Sequence, residues 1–279
     1  MEANFHRGSW SPDIPDHHSH SHFSGSYSPS PERPDAIYFP HQPKSLAGIA
    51  TRAFCLGITL AVGLIGTAAT LLFTDSPLWR LPFFLAALSA FHFLEFWTTA
   101  AYNTRAAEVS SFLLTSNWPG YAIAHTVAAL ECAFTNLVWP GRPFTSAAIF
   151  TFPNSAVSAL TLAGVVLTLL GQAVRTAAMA HAGQSFNHQV QQRRSSDHVL
   201  VTTGVYGLLR HPSYFGFFWW ALGTQLVMGN ALSLAGFALV LWRFFRGRIR
   251  HEEELLVIFF GDAYVQYRRR VGVWIPFVR

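Results

Sequence analysis

The pattern of apolar and polar positions divides most of this chain into long hydrophobic runs separated by short polar breaks. A helix that crosses a bilayer needs about 20 predominantly apolar residues. Four runs reach that length, at about residues 46–73, 78–101, 120–140 and 153–180. This hydropathy pattern predicts four membrane-spanning helices, the first two of which are separated by Asp75-Ser76-Pro77.

A fifth apolar stretch, at about residues 213–246, is interrupted by Gly229-Asn230, a dipeptide that favours a turn. Each half is shorter than a comfortable span, so the pattern predicts a helix-turn-helix hairpin that forms either two tilted spans or a re-entrant pair. Residues 252–270 combine apolar positions such as Leu256 and Phe259 with three arginines at the end, which predicts an amphipathic helix at the membrane surface. The chain is therefore expected to be an all-α polytopic transmembrane protein with about six spans, including the hairpin.

The composition agrees with a membrane protein. Hydrophobic residues make up 51% of the 279 positions and charged residues 12%, whereas a soluble domain carries about 25% charged residues. The net charge is +5, and the basic residues lie mostly on one side of the predicted topology, which is typical of cytosolic loops rather than of a nucleic-acid-binding surface. We therefore expect both termini and the polar residues of the last third to face the cytosol. Cys55 and Cys132 lie inside apolar runs without metal-ligand spacing, so we expect no metal site and no redox role.

Three regions follow from this pattern. Residues 1–45 are rich in Ser, Pro, His and Asp and are predicted to be a disordered N-terminal tail without a signal peptide. Residues 46–180 hold the four predicted spans. Residues 181–279 hold a polar cluster, the hairpin and the terminal amphipathic helix, and are predicted to be the catalytic region.

The polar residues of the last third are the candidates for chemistry, because charged and imidazole groups at membrane ends are costly to desolvate. They occur as His198-Val199-Leu200-Val201, as Arg210-His211-Pro212-Ser213-Tyr214, and as Arg248 followed by Glu252-Glu253-Glu254. The chain lacks a phosphate-binding loop, an HExxH motif and a Gly-x-Ser-x-Gly elbow. A set of His, Tyr, Arg and Glu suits a zwitterionic or cationic small molecule, since carboxylates and aromatic faces bind a cation and Arg binds a carboxylate.

Further motifs stand in a fixed order around these residues: Gln172-Ala173-Val174-Arg175, Ser185-Phe186-Asn187-His188, Gly204-Val205-Tyr206, Gly223-Thr224-Gln225 and Phe259-Phe260-Gly261. With the polar cluster, they resemble the isoprenylcysteine carboxyl methyltransferase family over about residues 46–279. The Arg-His-Pro-x-Tyr-x-Gly motif with the Glu-Glu pair also recurs in phospholipid methyltransferases and, more loosely, in sterol reductases. Residues 184–188 (Gln-Ser-Phe-Asn-His) and His92-Phe93-Leu94-Glu95-Phe96 narrow the resemblance to the isoprenylcysteine branch.

The resemblance implies an activity, a cofactor and a location. Enzymes of this family transfer the methyl group of S-adenosylmethionine to the α-carboxylate of a C-terminal prenylated cysteine. The expected partners are therefore prenylated CaaX proteins or prenylated peptides as substrates, together with membrane lipids, and no nucleic acid. The expected location is the endoplasmic reticulum membrane, with a cofactor pocket and active site facing the cytosol. Whether the protein forms a homodimer stays open.

Matching to the family motifs gives each candidate residue a role. Arg248 and Glu252 are the expected catalytic residues: Arg248 would pair with the substrate carboxylate, with Arg175 as a second candidate, and Glu252 would bind the amino or ribose groups of the cofactor. The cofactor pocket is expected to consist of Gln191, His198, Val199, Leu200, Val201, Tyr206, His211, Pro212, Ser213, Tyr214 and Glu252.

Two other functions are compatible with these residues. A phospholipid N-methyltransferase would use the same cofactor motif without a carboxylate-binding arginine. A transporter would place its polar site near mid-bilayer, where this chain has few polar residues. Small residues near Gly164 and Gly171 predict close helix packing, and we hypothesise a lateral opening for the prenyl chain near the fourth span and the hairpin.

Overall fold

The computed structural model of the protein describes residues 35–115, 119–139, 154–194 and 198–278. These ranges contain the helices α1 (Leu46–Phe73), α2 (Arg80–Tyr102), α3 (Gly120–Val138), α4 (Asn154–Ala182), α5 (Pro212–Met228), α6 (Ala231–Phe260) and α7 (Asp262–Arg270). Short 3-10 helices lie at Ala36–Tyr38, Pro77–Trp79, Thr104–Ala106, Val109–Phe112, Gly183–Ser185 and Gly204–Gly207. The predicted all-α class is confirmed, because the described ranges contain no strand, only one isolated bridge between Leu209 and Gly272.

Four helical segments are long and apolar enough to cross a membrane, and they match the four predicted runs: Leu46–Phe73, Pro77–Tyr102, Gly120–Val138 and Val157–Ser185. The predicted ends at residues 140 and 153 lie outside the described residues. α1 buries only Leu56 and Gly63. A helix this apolar that is exposed on most sides is typical of a lipid-facing span.

The hairpin turns at the dipeptide that predicted it. Pro212 occupies the first turn of α5, a position that costs no intrahelical hydrogen bond. Gly229 ends α5 in the left-handed region with φ 71°, and Asn230 precedes α6. Neither hairpin helix is among the four segments above, so the larger predicted number of spans stays a prediction.

Charged side chains from α2 and α3 satisfy the helix ends at this turn. Glu131 accepts hydrogen bonds from the backbone N–H groups of Leu232, at 2.9 Å, and Ser233, at 2.7 Å, in the first turn of α6. Arg80 donates to the carbonyl of Val227 near the end of α5. An anion at a helix N-terminus and a cation at a helix C-terminus both match the helix dipole, so these contacts hold the turn against α2 and α3.

The predicted amphipathic helix over residues 252–270 is wrong at its start. α6 continues through the polar run at residues 248–254 to Phe260, and α7 is a separate short helix. Polar side chains can leave the membrane without interrupting the backbone hydrogen bonds of a helix. The helix ends at Gly261, where φ is 56°, a conformation that glycine adopts without steric cost.

Glycines bring α4 directly against α5, as the small residues predicted. A Cβ atom on Gly171 would lie 2.5 Å from the backbone nitrogen of Trp220, and one on Gly216 would lie 2.6 Å from the carbonyl oxygen of Gly171. A Cβ on Gly164 would lie 2.7 Å from the backbone nitrogen of Val227. Because the two backbones touch along this line, the hypothesised lateral opening does not lie at the Gly171 contact.

Of the predicted N-terminal tail, the described residues include only residues 35–45. Residues 1–34 lie outside the described residues. The remainder packs on the loop between α2 and α3, where the carbonyl of Pro43 accepts from the N–H of Val109 at 2.7 Å and Lys44 Nζ donates to the carbonyl of Arg105 at 2.7 Å. The boundary at residue 45 stays a prediction.

Candidate active site

A cleft of about 690 Å³, partly open to solvent, lies between the loop that joins α4 to α5 and the adjoining faces of α6 and α7. Of the residues predicted for the cofactor pocket, all except Gln191 line this cleft: His198, Val199, Leu200, Val201, Tyr206, His211, Pro212, Ser213, Tyr214 and Glu252. Gln191 lines an adjoining cavity of about 340 Å³ that shares His198 and Glu252 with the cleft.

The irregular backbone of residues 198–201 and the turn at Gly204 place the segment between α4 and α5 beside the cleft. Residues 198–201 lie in neither helix nor strand, so their backbone groups are not committed to a regular hydrogen-bond ladder. Gly204 has φ 58°, and a Cβ atom there would lie 2.3 Å from the ring of His181 on α4. Glycine is therefore favoured at this position by its conformation, and a larger residue would also displace the ring of His181.

A hydrogen-bonded chain joins α6 to α5 at the edge of the cleft. The hydroxyl of Tyr214 donates to Glu252 Oε2 at 2.6 Å, and Arg248 Nε donates to the same hydroxyl at 2.8 Å. Arg248 also donates through Nη2 to the carbonyl of His188, and its guanidinium carbon lies 5.8 Å from the ring centre of Phe244. Arg248 therefore stands one helical turn from Glu252, behind Tyr214 rather than in the wall of the cleft.

The other predicted arginine, Arg175, is buried behind the cleft wall. Its Nε and Nη2 both donate to the carboxylate of Glu95, the latter at 2.8 Å. Its Nη1 donates to the hydroxyl of Ser213 at 3.0 Å. Arg175 is 7% exposed and Glu95 is 1% exposed. The structure thus connects Arg175 to the cleft through Ser213, and the predicted contact of Arg175 with a substrate carboxylate stays a prediction.

A second carboxylate, Glu253, organises the far side of the cleft, and although it belongs to the Glu-Glu pair of the sequence motif, no role was predicted for it. Its Oε1 accepts from Arg210 Nε at 2.9 Å and lies 3.3 Å from His211 Nε2. Its Oε2 lies 3.6 Å from Arg268 Nη1. Successive residues of a helix point in directions about 100° apart, so Glu252 faces the cleft while Glu253 faces the segment behind it.

The C-terminal segment closes onto the cleft through Arg210 and two tyrosines. Arg210 Nη1 donates to the carbonyls of Arg268, at 2.8 Å, and Val271, at 2.6 Å. The hydroxyl of Tyr267 donates to the carbonyl of Tyr206 at 2.6 Å. Tyr264 and Tyr267 of α7 both line the cleft. These contacts join residues that lie far apart in the sequence, and the sequence motifs did not predict them.

Burial sets the protonation states around the cleft. Burial lowers the pKa of His198, and Arg194 lowers it further. Burial also lowers the pKa of His188 to about 4, with Arg175 and Arg248 adding to the effect and Glu95 opposing it. The pKa of Tyr206 is raised by burial and by the nearby Glu252. At neutral pH these two imidazoles and this phenol are therefore uncharged.

Comparison with known proteins places this chain in a family. The sequence profile described as the isoprenylcysteine carboxyl methyltransferase (ICMT) family matches residues 164–258. The chain is 45% identical over 230 residues to protein-S-isoprenylcysteine O-methyltransferase of Saccharomyces cerevisiae, which covers 82% of this chain and 91% of the relative. It is 36% identical over 235 residues to the Homo sapiens protein of the same name, covering 83% of this chain and 75% of the relative.

A solved structure gives the same result. The structure of a eukaryotic intramembrane Ras methyltransferase, isoprenylcysteine carboxyl methyltransferase, superposes with a TM-score of 0.73 at 33% sequence identity. The match covers 87% of this chain and 80% of that structure. Together with the four apolar helices, this likeness makes the protein a multi-pass membrane protein. The chain belongs to the isoprenylcysteine carboxyl methyltransferase family.

Proposed function

We propose that the protein is a protein-S-isoprenylcysteine carboxyl O-methyltransferase, which transfers a methyl group from S-adenosylmethionine to the C-terminal α-carboxylate of a prenylated cysteine and forms a methyl ester. Family membership sets the reaction class. The assignment of the site rests on the hydrogen bonds that connect Arg248 through Tyr214 to Glu252. They link a carboxylate in the cleft, which is suited to binding a cation, to a guanidinium behind it.

The residues that line the cleft fit S-adenosylmethionine in chemistry. His198 Nδ1 is buried and lacks a hydrogen-bond partner among the described residues, as expected of a group that meets a polar ligand. Glu252 offers a carboxylate, and Tyr206 and Phe260 offer aromatic faces, both of which favour a cationic ligand.

Each of these residues has a defined task in the proposal. Glu252 binds the amino or ribose groups of the cofactor and is oriented by Tyr214. The backbone of residues 198–201 forms one wall, and Gln191 bonds the cofactor from the adjoining cavity. Arg248 pairs with the substrate carboxylate. Two of its N–H donors are engaged by Tyr214 and by the carbonyl of His188, and a guanidinium carries five.

The substrate carboxylate needs no general base. An α-carboxyl group has a reference pKa of about 3.5, so it is ionised at neutral pH. S-Adenosylmethionine supplies an electrophilic methyl carbon on a sulfonium. Transfer of that methyl group to a carboxylate oxygen would form the C–O bond as the C–S bond breaks, and would leave a methyl ester and a neutral thioether. The protein then contributes positioning and exclusion of water, for which Leu256 and Phe260 provide apolar surface in the cleft.

The proposed substrates are prenylated CaaX proteins or peptides, and the proposed location is the endoplasmic reticulum membrane with the cleft facing the cytosol. The concentration of arginines on α6 and α7 beside the cleft supports this orientation, because cytosolic ends of spans carry an excess of basic residues. Surrounding membrane lipids would solvate the prenyl chain, and each buried CH₂ contributes about 0.8 kcal/mol to its partition.

The product of methyl transfer tests the proposal. The purified protein in lipid vesicles would receive labelled S-adenosylmethionine with N-acetyl-S-farnesylcysteine or with phosphatidylethanolamine. We expect base-labile label on the farnesylcysteine, which identifies a carboxyl methyl ester, and loss of label with Arg248→Ala and Glu252→Ala. Label on the phospholipid alone would identify a lipid N-methyltransferase. Folded protein that labels neither acceptor and does not bind S-adenosylmethionine would contradict an enzymatic function.

A further inference from the structure

We propose that a second pocket on the face of α6 beside the C-terminal segment binds the phosphate headgroup of an anionic membrane phospholipid. The pocket has a volume of about 940 Å³, including open solvent. We call it the arginine pocket. It is lined by Arg246, Arg250, Arg268, Glu254, Phe277 and Val278, with Glu253 at its floor.

The arginine pocket carries an excess of positive charge. The side chain of Glu253 is 8% exposed, and the equally buried Arg210 neutralises it from behind. Glu254 lies 3.5 Å from Arg250 in a pair that is exposed on both sides, and such pairs are weak in water. Arg246 has no carboxylate partner among the described residues and lies over the ring of Trp242, 5.3 Å from its centre. Three guanidinium groups and two carboxylates therefore line the pocket, with Arg268 3.6 Å from Glu253. Because Arg210 adds a further positive charge behind Glu253, the net charge is positive and suits a phosphate anion.

The position of the pocket along α6 matches the level of lipid headgroups. Leu239 and Val240 are each 64% exposed, as expected of lipid-facing positions. Leu239 lies seven residues before Arg246 and eleven before Arg250, on the same face of the helix. The surface of α6 thus changes from apolar to cationic within two to three turns, so acyl chains can lie along Leu239 while the headgroup reaches the arginines.

Two exposed aromatic side chains of the C-terminal segment, of which Phe277 lines the arginine pocket, point to a membrane rather than to a soluble anion. Trp274 is 70% exposed and Phe277 is 90% exposed. Their φ angles are 62° and 60°, a region that bulky residues rarely adopt. Trp242 Nε1 donates to the carbonyl of Pro276 at 3.0 Å, which fixes this segment on α6. Exposed rings held at a membrane surface can insert among lipids, whereas a soluble phosphate would gain nothing from them.

Lipid retention tests the proposal without reference to catalysis. The full-length protein would be equilibrated in mixed micelles of phosphatidylserine and phosphatidylcholine, and the bound lipid would be measured by native mass spectrometry. We expect the protein to retain phosphatidylserine over phosphatidylcholine, and the double variant Arg246→Gln/Arg250→Gln to lose about tenfold or more of that preference, given the usual contribution of each basic residue. The charge-retaining variant Arg246→Lys/Arg250→Lys should keep most of it.

The matched control is Arg243→Gln/Arg269→Gln, which removes the same charge from two exposed arginines that do not line the pocket. We expect it to retain phosphatidylserine as the unchanged protein does. Equal loss in the control would mean diffuse attraction and would overturn the site. Equal retention of both lipids by the unchanged protein would overturn it as well. Binding of inorganic phosphate without retention of the lipid would assign the pocket to a soluble anion and would also overturn the proposal.

Discussion

Tyr214 and Glu252 share a hydrogen bond of 2.6 Å that ties the start of α5 to the C-terminal half of α6. Because Arg248 donates to the same hydroxyl, Tyr214 orients both the carboxylate proposed to bind the cofactor and the guanidinium proposed to bind the substrate. One phenol therefore couples the two halves of the candidate active site.

Replacing Tyr214 by Phe tests this coupling. The variant keeps the ring that stacks on His211 at 5.5 Å and on Phe245 at 5.1 Å, so the fold should be preserved. A hydrogen bond to a charged group contributes about 1.5–3 kcal/mol, so we expect the KM for S-adenosylmethionine to rise about tenfold or more. Steady-state methylation with varied cofactor measures it, and Tyr102→Phe at a half-exposed site on α2 is the control. An unchanged KM for the cofactor would show that Tyr214 does not position Glu252.

Removing Arg210 should destabilise the protein. Arg210→Ala leaves the buried carboxylate of Glu253 without its closest cation, and breaking one partner of a buried ion pair costs about 3–5 kcal/mol. Thermal unfolding in detergent would measure the loss, with Arg269→Ala at an exposed position of α7 as the control. The double variant Arg210→Met/Glu253→Leu should recover part of the stability, since it removes the stranded charge. Equal unfolding temperatures for Arg210→Ala and the control would refute this role.

The glycine contact between α4 and α5 makes a prediction about Gly171. In Gly171→Ala the new Cβ would meet the backbone nitrogen of Trp220 at 2.5 Å, so the helices must separate, at a cost of about 1–3 kcal/mol. Gly57→Ala on α1 is the matched control, because no atom lies within 4 Å of a Cβ there. Thermal unfolding of both variants would measure the difference. If Gly171→Ala were as stable as Gly57→Ala, the helices would have room at this contact and a lateral opening there would regain support.

His188 should make stability depend on pH. Its folded pKa is about 4, lowered by burial first, whereas an unfolded histidine has a pKa of about 6.5. Between these values the unfolded chain binds a proton that the folded protein does not, so the free energy of unfolding falls as the pH is lowered from about 6.5 to about 4, by at most about 3 kcal/mol.

The variant His188→Gln should flatten this dependence, while His41→Gln at an exposed position should not. Unfolding midpoints measured across this pH range would compare the three proteins. An identical slope in His188→Gln would assign the pH dependence to other groups.

Much of the fold is predictable from the sequence because its signals are local. Pro212 and Gly229 act through their own backbone conformations, and each marks a helix end in the structure. Gly261 also ends a helix, although the predicted helix over residues 252–270 ran through it. The apolar runs give the spans by length alone. The polar residues around Arg248, in contrast, wrongly predicted a helix boundary, because polarity marks a change of environment and not a break in backbone hydrogen bonding.

The site is predictable to the extent that its motifs are contiguous. The segments His198-Val199-Leu200-Val201 and His211-Pro212-Ser213-Tyr214 both line the cleft. The part played by Glu253 depends on the rotation of α6 and on Arg210, which lies 43 residues away, and a single sequence does not reveal such a pairing. The hydrogen bonds that cap the hairpin turn are not predictable for the same reason, because Glu131 lies 101 residues from its partner in the first turn of α6.

In the proposed site Glu252 binds the cofactor and Arg248 binds the substrate carboxylate. Steady-state kinetics of variants at these two residues test this assignment most directly. KM values for S-adenosylmethionine and for N-acetyl-S-farnesylcysteine would be measured with Glu252→Gln and Arg248→Gln in the same vesicles. We predict that Glu252→Gln raises mainly the KM for the cofactor and that Arg248→Gln raises mainly the KM for the prenylcysteine, each about tenfold or more. Variants that leave both KM values unchanged, or that show the opposite pattern, would contradict the assignment.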